Sequence, residues 1–211
     1  AVSDDGRVYT FTLHDRAAFH DGTFVTADDV VYTVTKAQDS ALKSPLRANW
    51  DGVLAEAVDP HTVRFTLRSA YAPFIENLTL GILPKARWSQ VTDEEFPFSE
   101  LNAEPIGSGP YKVARVSRTS SGIPSSYSLR AFGNYALGEP YLGNLEIRFY
   151  QSEGALVTAL QRGDIDSASG ISPSNLASLP AGDIRTSPLN RVFGVFFNQN
   201  QSTVLRDKTV R

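Results

Sequence analysis

The 211-residue sequence contains no cysteine and no methionine. Without thiols it can form no disulfide, hold no thiolate-bound metal and offer no cysteine nucleophile, although that lack leaves the compartment open. Neither sign of charge is in large excess, because 20 Lys and Arg against 23 Asp and Glu leave a net −3. There is no dense basic run, so the electrostatic footprint that nucleic acid or an anionic membrane would need is missing. No apolar stretch approaches the roughly 18 residues of a membrane span, and no signal-peptide pattern is present. What remains is an ordinary folded composition, 41% hydrophobic and 10% aromatic, long enough for one large or two small units.

Local information is densest from Phe19 to Val34. Asp21-Gly22 supplies a tight turn after the alternating strand Val8 to Leu13. Thr26 is the expected N-cap of a helix, its hydroxyl placed to accept from the backbone N–H of Asp28 or Asp29, and Asp29 is the acidic half of a capping box. Val25 and Val30 form a hydrophobic staple, while Asp28 and Asp29 put negative charge at the positive end of the helix dipole. The helix is expected over roughly 27–42, ended by Ser44-Pro45.

A strand, turn and strand follow over Val53–Val58, Asp59-Pro60-His61 and Thr62–Leu67. Ala72–Leu78 reads as a short helix with proline in its first turn, and residues 88–104 as an acidic, irregular crossover. Tyr111–Arg118 and Ser126–Phe132 are expected to form a hairpin, with a mobile tip around Gly122. Leu145–Tyr150 reads as a strand, Glu153–Arg162 as a helix closed by Gly163, and Ile165-Asp166 as the start of a further strand. That order implies a parallel βαβ unit. Ser174–Leu179 is one more short helix, and Arg191–Asn198 a strand apolar enough to be central.

Catalytic and metal signatures lose to simpler readings. Gly107-Ser108-Gly109 is followed by Pro110 and a strand, so it redirects the chain and cradles no phosphate. No G-x-S-x-G elbow occurs, and only His14, His20 and His61 could serve as a base. The group His14, His20, Asp21, Asp28 and Asp29 has no metal-ligand spacing, and its Asp28 and Asp29 already have helix-start roles. Asp164 and Asp166 would share one face of a strand, but no second signal supports acid–base work there. No catalytic residue, metal or cofactor is expected.

Five segments together resemble the family 5 solute-binding proteins of ABC transporters, the peptide, dipeptide and nickel type. They are the Phe19–Val34 cap segment, the turn Pro105–Val113, the run from Asn134-Tyr135 to Gly138–Tyr141, the helix exit Leu160–Asp166 and the closing Asp207–Arg211. The resemblance implies an α+β fold with mixed sheets, a periplasmic-binding-protein-like type II lobe carrying an inserted α+β subdomain. Members are longer than this chain and close two lobes on a ligand, so the second lobe is expected to be largely absent. The beginning at Ala1 and the end one turn into a helix at Arg211 fit that expectation of a proteolytic or similar boundary. Residues 1–104 would be the inserted subdomain, 105–195 the central part of the first lobe, and 196–211 the crossover strand and helix start leading into the second.

The function so implied is capture of an oligopeptide or similar small solute by a monomeric extracytoplasmic protein. That protein is periplasmic or anchored at the cell surface by a lipid outside this sequence, and it delivers the solute to membrane permease subunits. A ligand-sensing domain of a transcriptional regulator or receptor is the alternative. Ligands of open α/β sheets lie beyond strand carboxyl ends, which selects Ser169, Gly170 and Ile171 after Ile165-Asp166, and Asn198 after the central strand. Asn198 offers both donor and acceptor to a peptide backbone, unless it satisfies local backbone instead. Ile82, Leu83 and Trp50 are apolar candidates for a cleft wall, with core packing as the competing reading of each.

Overall fold

The alternation read in the first third of the sequence becomes a three-stranded antiparallel sheet. Strand β1 (Val8–Thr12) is followed by α1 (Ala27–Gln38), the single turn α2 (Arg47–Trp50), β2 (Leu54–Asp59) and β3 (Thr62–Thr66). The spatial order β1-β3-β2 puts Tyr9 opposite Phe65 and Phe11 opposite Val63, so one face gathers the apolar side chains. Against that face α1 presents Val30, Val34 and Ala37, all buried at helical spacing. The computed structural model describes residues 1–180, 182 and 184–186.

The start of α1 follows from its sequence with one exchange of roles. Asp29 Oδ2 accepts from the Thr26 backbone N–H and from the Thr26 hydroxyl, each at 2.9 Å, so the hydroxyl donates to the carboxylate. Val25 and Val30 are both buried, as a staple requires. The helix stops at Gln38, short of the expected Leu42, because Asp39 turns to an extended ψ of 123° and the Asp39 carboxylate accepts from Ala41 N–H at 2.8 Å. Arg47 Nε then donates to the freed Gln38 carbonyl at 3.0 Å, and Gln38 donates to the carbonyls of Trp50 and Val53. The chain between passes through Lys43 at φ 49°, a left-handed conformation uncommon for a side-chain-bearing residue.

Beyond β3, Ala72–Thr79 is a 3-10 turn with Pro73 at its start, and α3 (Lys85–Trp88) is a single helical turn. Two further 3-10 turns, Phe96–Phe98 and Glu100–Asn102, occupy the acidic segment. A second antiparallel sheet follows in the order β4 (Tyr111–Arg118), β5 (Pro124–Ala131) and β6 (Asn144–Arg148). His20 bridges the seam expected at residue 104. The His20 backbone N–H donates to the Gly107 carbonyl at 2.8 Å, Nδ1 accepts from Gly107 N–H at 3.3 Å, and Nε2 meets the Gly109 carbonyl at 3.0 Å. The chain divides into two compact units, Ala1–Gln151 and Ser152–Arg211.

In the second unit α4 (Glu153–Arg162) is capped by the Ser152 hydroxyl, which accepts from Ala155 N–H. Gly163, at φ 73°, closes it, with Gly163 N–H donating to the Leu160 carbonyl and Asp164 N–H to that of Ala159. The expected strand at Ile165-Asp166 does not form, and β6 pairs antiparallel with β5, so no parallel βαβ unit exists among the described residues. Instead the chain loops back, and Glu153 accepts from the Ser172 backbone N–H at 2.6 Å at the head of the 3-10 turn Pro173–Ser178. The strand expected over Arg191–Asn198 and the helix start at Asp207 lie outside the described residues.

Candidate ligand-binding site

Thr33 is buried on α1, and the Thr33 hydroxyl works in two directions. It donates to the Asp29 carbonyl at 2.7 Å and accepts from Leu83 N–H at 2.9 Å. One turn earlier, the free oxygen of the Asp29 carboxylate accepts from Lys85 N–H at 2.8 Å. The two bonds fix the extended strip 81–85 alongside the helix, with Leu83 as part of a wall. Leu83 then lines a predominantly apolar cavity of about 270 Å³ together with Thr33, Lys36, Leu42, Leu80 and Phe96. Pro45 and Ser44, next to the strained Lys43, complete the rim.

Electrostatics at this cavity are settled internally. The Lys36 ammonium is paired with Asp93 and lies 5.8 Å from the Tyr32 ring centroid and 5.9 Å from that of Phe96. The hydrogen bond to Asp93 raises the Lys36 pKa above its ordinary value, so the amine stays charged. The Tyr32 hydroxyl is buried without a hydrogen-bond partner among the described residues, and burial pushes the Tyr32 pKa up. The cavity therefore offers an apolar interior and a neutralised cation, which suits an apolar group of a larger solute.

Of the residues selected from sequence, Leu83 lines this cavity, and Ile82 beside it is half-buried against the core. Trp50 does neither: it is 2% exposed, packed at 5.8 Å from Phe65 and 5.7 Å from Phe74, so no part of its indole is left for a ligand. Of its two readings, core packing holds. In the second unit Ser169 and Gly170 are exposed and Ile171 is half-buried in the loop after α4, with Gly170 at φ 77°. Asn198 lies outside the described residues. The cavity residues that the sequence reading missed include Thr33, Lys36, Leu42, Leu80 and Phe96, and no motif marked any of them as a wall.

The acids and histidines weighed for metal binding have other partners. His14 Nδ1 accepts from Arg16 N–H, Asp21 from the Thr23 backbone and hydroxyl, and Asp28 pairs with Lys85 at 3.3 Å. Asp164 and Asp166 follow the helix cap and lie on no strand, which removes the shared face that acid–base chemistry there would have needed.

The chain is 32% identical over 179 residues to Protein XP55 of Streptomyces lividans, covering 84% of this chain and 31% of that protein. Its structure superposes on the ABC transporter substrate-binding protein CtaP of Listeria monocytogenes with a TM-score of 0.67 and 38% identity, over 78% of this chain and 33% of that one. The oligopeptide-binding protein AppA of Bacillus subtilis, solved in complex with a nonapeptide, gives a TM-score of 0.68 at 28% identity over 78% of this chain and 32% of AppA. This sequence thus spans about a third of the length of these relatives. The α+β fold of a type II binding-protein lobe, in part, is common to them. CtaP and AppA are binding proteins rather than enzymes. Because residues 1–211 match the middle region of the bacterial extracellular solute-binding proteins, family 5, the chain belongs to that family.

Proposed function

We propose that this chain is part of an extracytoplasmic solute-binding protein that captures oligopeptides for an ABC importer, and that the cavity beside α1 receives one apolar side chain of the peptide. The observation that carries the reading is the cavity itself, apolar, about 270 Å³, with Leu83 held in its wall by Thr33. Pockets for whole small molecules occupy about 300–1,000 Å³, so this one suits a single side chain. Burying such a group contributes about 1.5–3 kcal/mol, enough to grade peptides without accounting for all their affinity.

Ser169, Gly170 and Ile171, and Asn198 after the expected central strand, are assigned to polar contacts with the peptide backbone. Ile82 supports Leu83 from the core side. Lobe closure over the peptide would supply the remaining contacts and present the loaded protein to the permease. A monomer held outside the cytoplasm, by a lipid anchor in another part of the protein, fits this role. No observation favours the regulator or receptor alternative.

The test is calorimetric titration of the intact protein with peptides that differ in one apolar side chain. Leu42→Asp and Leu83→Asp are each expected to weaken binding of the apolar peptide about tenfold and to leave its glycine-substituted counterpart unchanged. Equal affinity of both variants and the parent for every peptide would remove the side-chain assignment. An intact protein that binds no peptide at all would remove the transport reading.

A further inference from the structure

The first unit carries a second, solvent-open cavity of about 250 Å³, walled by His20, Asp21, Glu104 and the stretch of β4 from Lys112 to Arg115. Simple strand alternation would send Lys112 and Arg115, three positions apart, to opposite faces of the sheet. The register shows why they meet. Lys112 lies opposite Arg130, Val113 opposite Leu129 and Arg115 opposite Ser128, which leaves Ala114 unpaired as a bulge. Ser128 and Arg130, two apart on β5, share a face, so the bulge returns Arg115 to the face of Lys112. Both residues line the same cavity.

The carboxylates around that cavity are already matched. Asp21 pairs with Arg87 at 3.1 Å and Glu104 with Arg118 at 3.2 Å. Glu146, whose field Arg115 shares across the sheet, carries its own Arg148 at 3.0 Å. The Lys112 ammonium lies 5.9 Å from the Phe132 ring centroid, and among the described residues neither Lys112 nor Arg115 forms an ion pair. Both ring nitrogens of His20 are taken up by the 107–109 turn. Two positive charges are thus left facing one cavity.

The geometry points to a binding site for a compact phosphate-type dianion, with the Arg115 guanidinium gripping two oxygens and the Lys112 ammonium neutralising the second charge. A planar fork beside a point charge is the pairing that phosphate recognition uses, and a surplus of two charges favours a dianion over a single carboxylate. The site shares no residue with the apolar cavity, so its fate is independent of the peptide reading.

The experiment is calorimetric titration of the intact protein at low salt with inorganic phosphate and, separately, glycerol 3-phosphate. Saturable binding is expected, with Lys112→Gln and Arg115→Gln each raising Kd about tenfold or more. Lys112→Arg should keep binding, and Arg64→Gln, on the other sheet and paired with Glu56, should leave it unaltered. Tighter binding of the ester supports a phosphorylated solute, and tighter binding of the ion supports free phosphate. The proposal is overturned by the absence of saturable heat with both probes, by tighter binding of succinate than of either, or by an equal loss in Arg64→Gln.

Discussion

Asp21 shows at the scale of one residue how a turn signal becomes a pH dependence. Its carboxylate accepts from the Thr23 hydroxyl at 2.7 Å and the Thr23 backbone at 3.1 Å and faces Arg87. The Thr23 hydroxyl, aided by its backbone N–H and Arg87, holds the Asp21 pKa below the ordinary carboxylate range. A lowered folded pKa adds stability that is complete above the unfolded value near 4 and is lost as pH falls through the folded one. Asp21→Asn should therefore lower the urea midpoint at neutral pH, with parent and variant converging below about pH 4. A constant gap between them down to pH 2 would contradict this account. Asp5 is held at about 2 chiefly by the Ser3 hydroxyl and then by Arg7, so the parent keeps some acid sensitivity of its own toward that pH.

At the scale of elements, most of what the sequence disclosed was local. The Thr26–Asp29 box, the Gly163 closure and the Asp59–His61 turn depend on residues within a few positions of one another, and all three are present. The ends of α1 and the absent strand at Ile165 were not legible, because long-range partners decide them: Arg47 takes the Gln38 carbonyl, and Glu153 draws Ser172 back. Two glycines of α4, one inside the helix and one closing it, give a paired test. No atom lies within 4 Å of a Cβ added at either, so only backbone conformation distinguishes them. Gly163→Ala, at φ 73°, should cost about 1–2 kcal/mol. Gly154→Ala, inside the helix, should gain up to about 1 kcal/mol. Chemical denaturation monitored through α4 reads both, and equal signs would contradict the left-handed closure.

For the whole molecule, the aromatic group Trp50, Phe65 and Phe74 joins α2, β3 and the Ala72–Thr79 turn, with ring centroids 5.6–5.8 Å apart. Trp50→Ala should cost about 3–5 kcal/mol, a large share of the roughly 5–15 kcal/mol that holds a domain together. Peptide affinity of the folded fraction should stay within twofold. A variant that lost peptide binding but kept its thermal midpoint would return Trp50 to the cleft wall. The sequence could not choose between these roles, since a lone tryptophan after a proline-broken loop carries no period. Leu83 was named from sequence as a wall candidate, but what holds it there was hidden, because its Thr33 partner is 50 positions away.

The two-sided use of the Asp29 carboxylate has a consequence for how such a protein could change its diet. One oxygen starts the helix and the other holds Lys85, so drift at position 29 would disturb folding and pocket shape in one stroke. The wall is in effect welded to the scaffold. If the proposed peptide pocket is correct, retuning toward a different solute would fall to Leu42, Pro45 and Phe96, which line the cavity away from that joint.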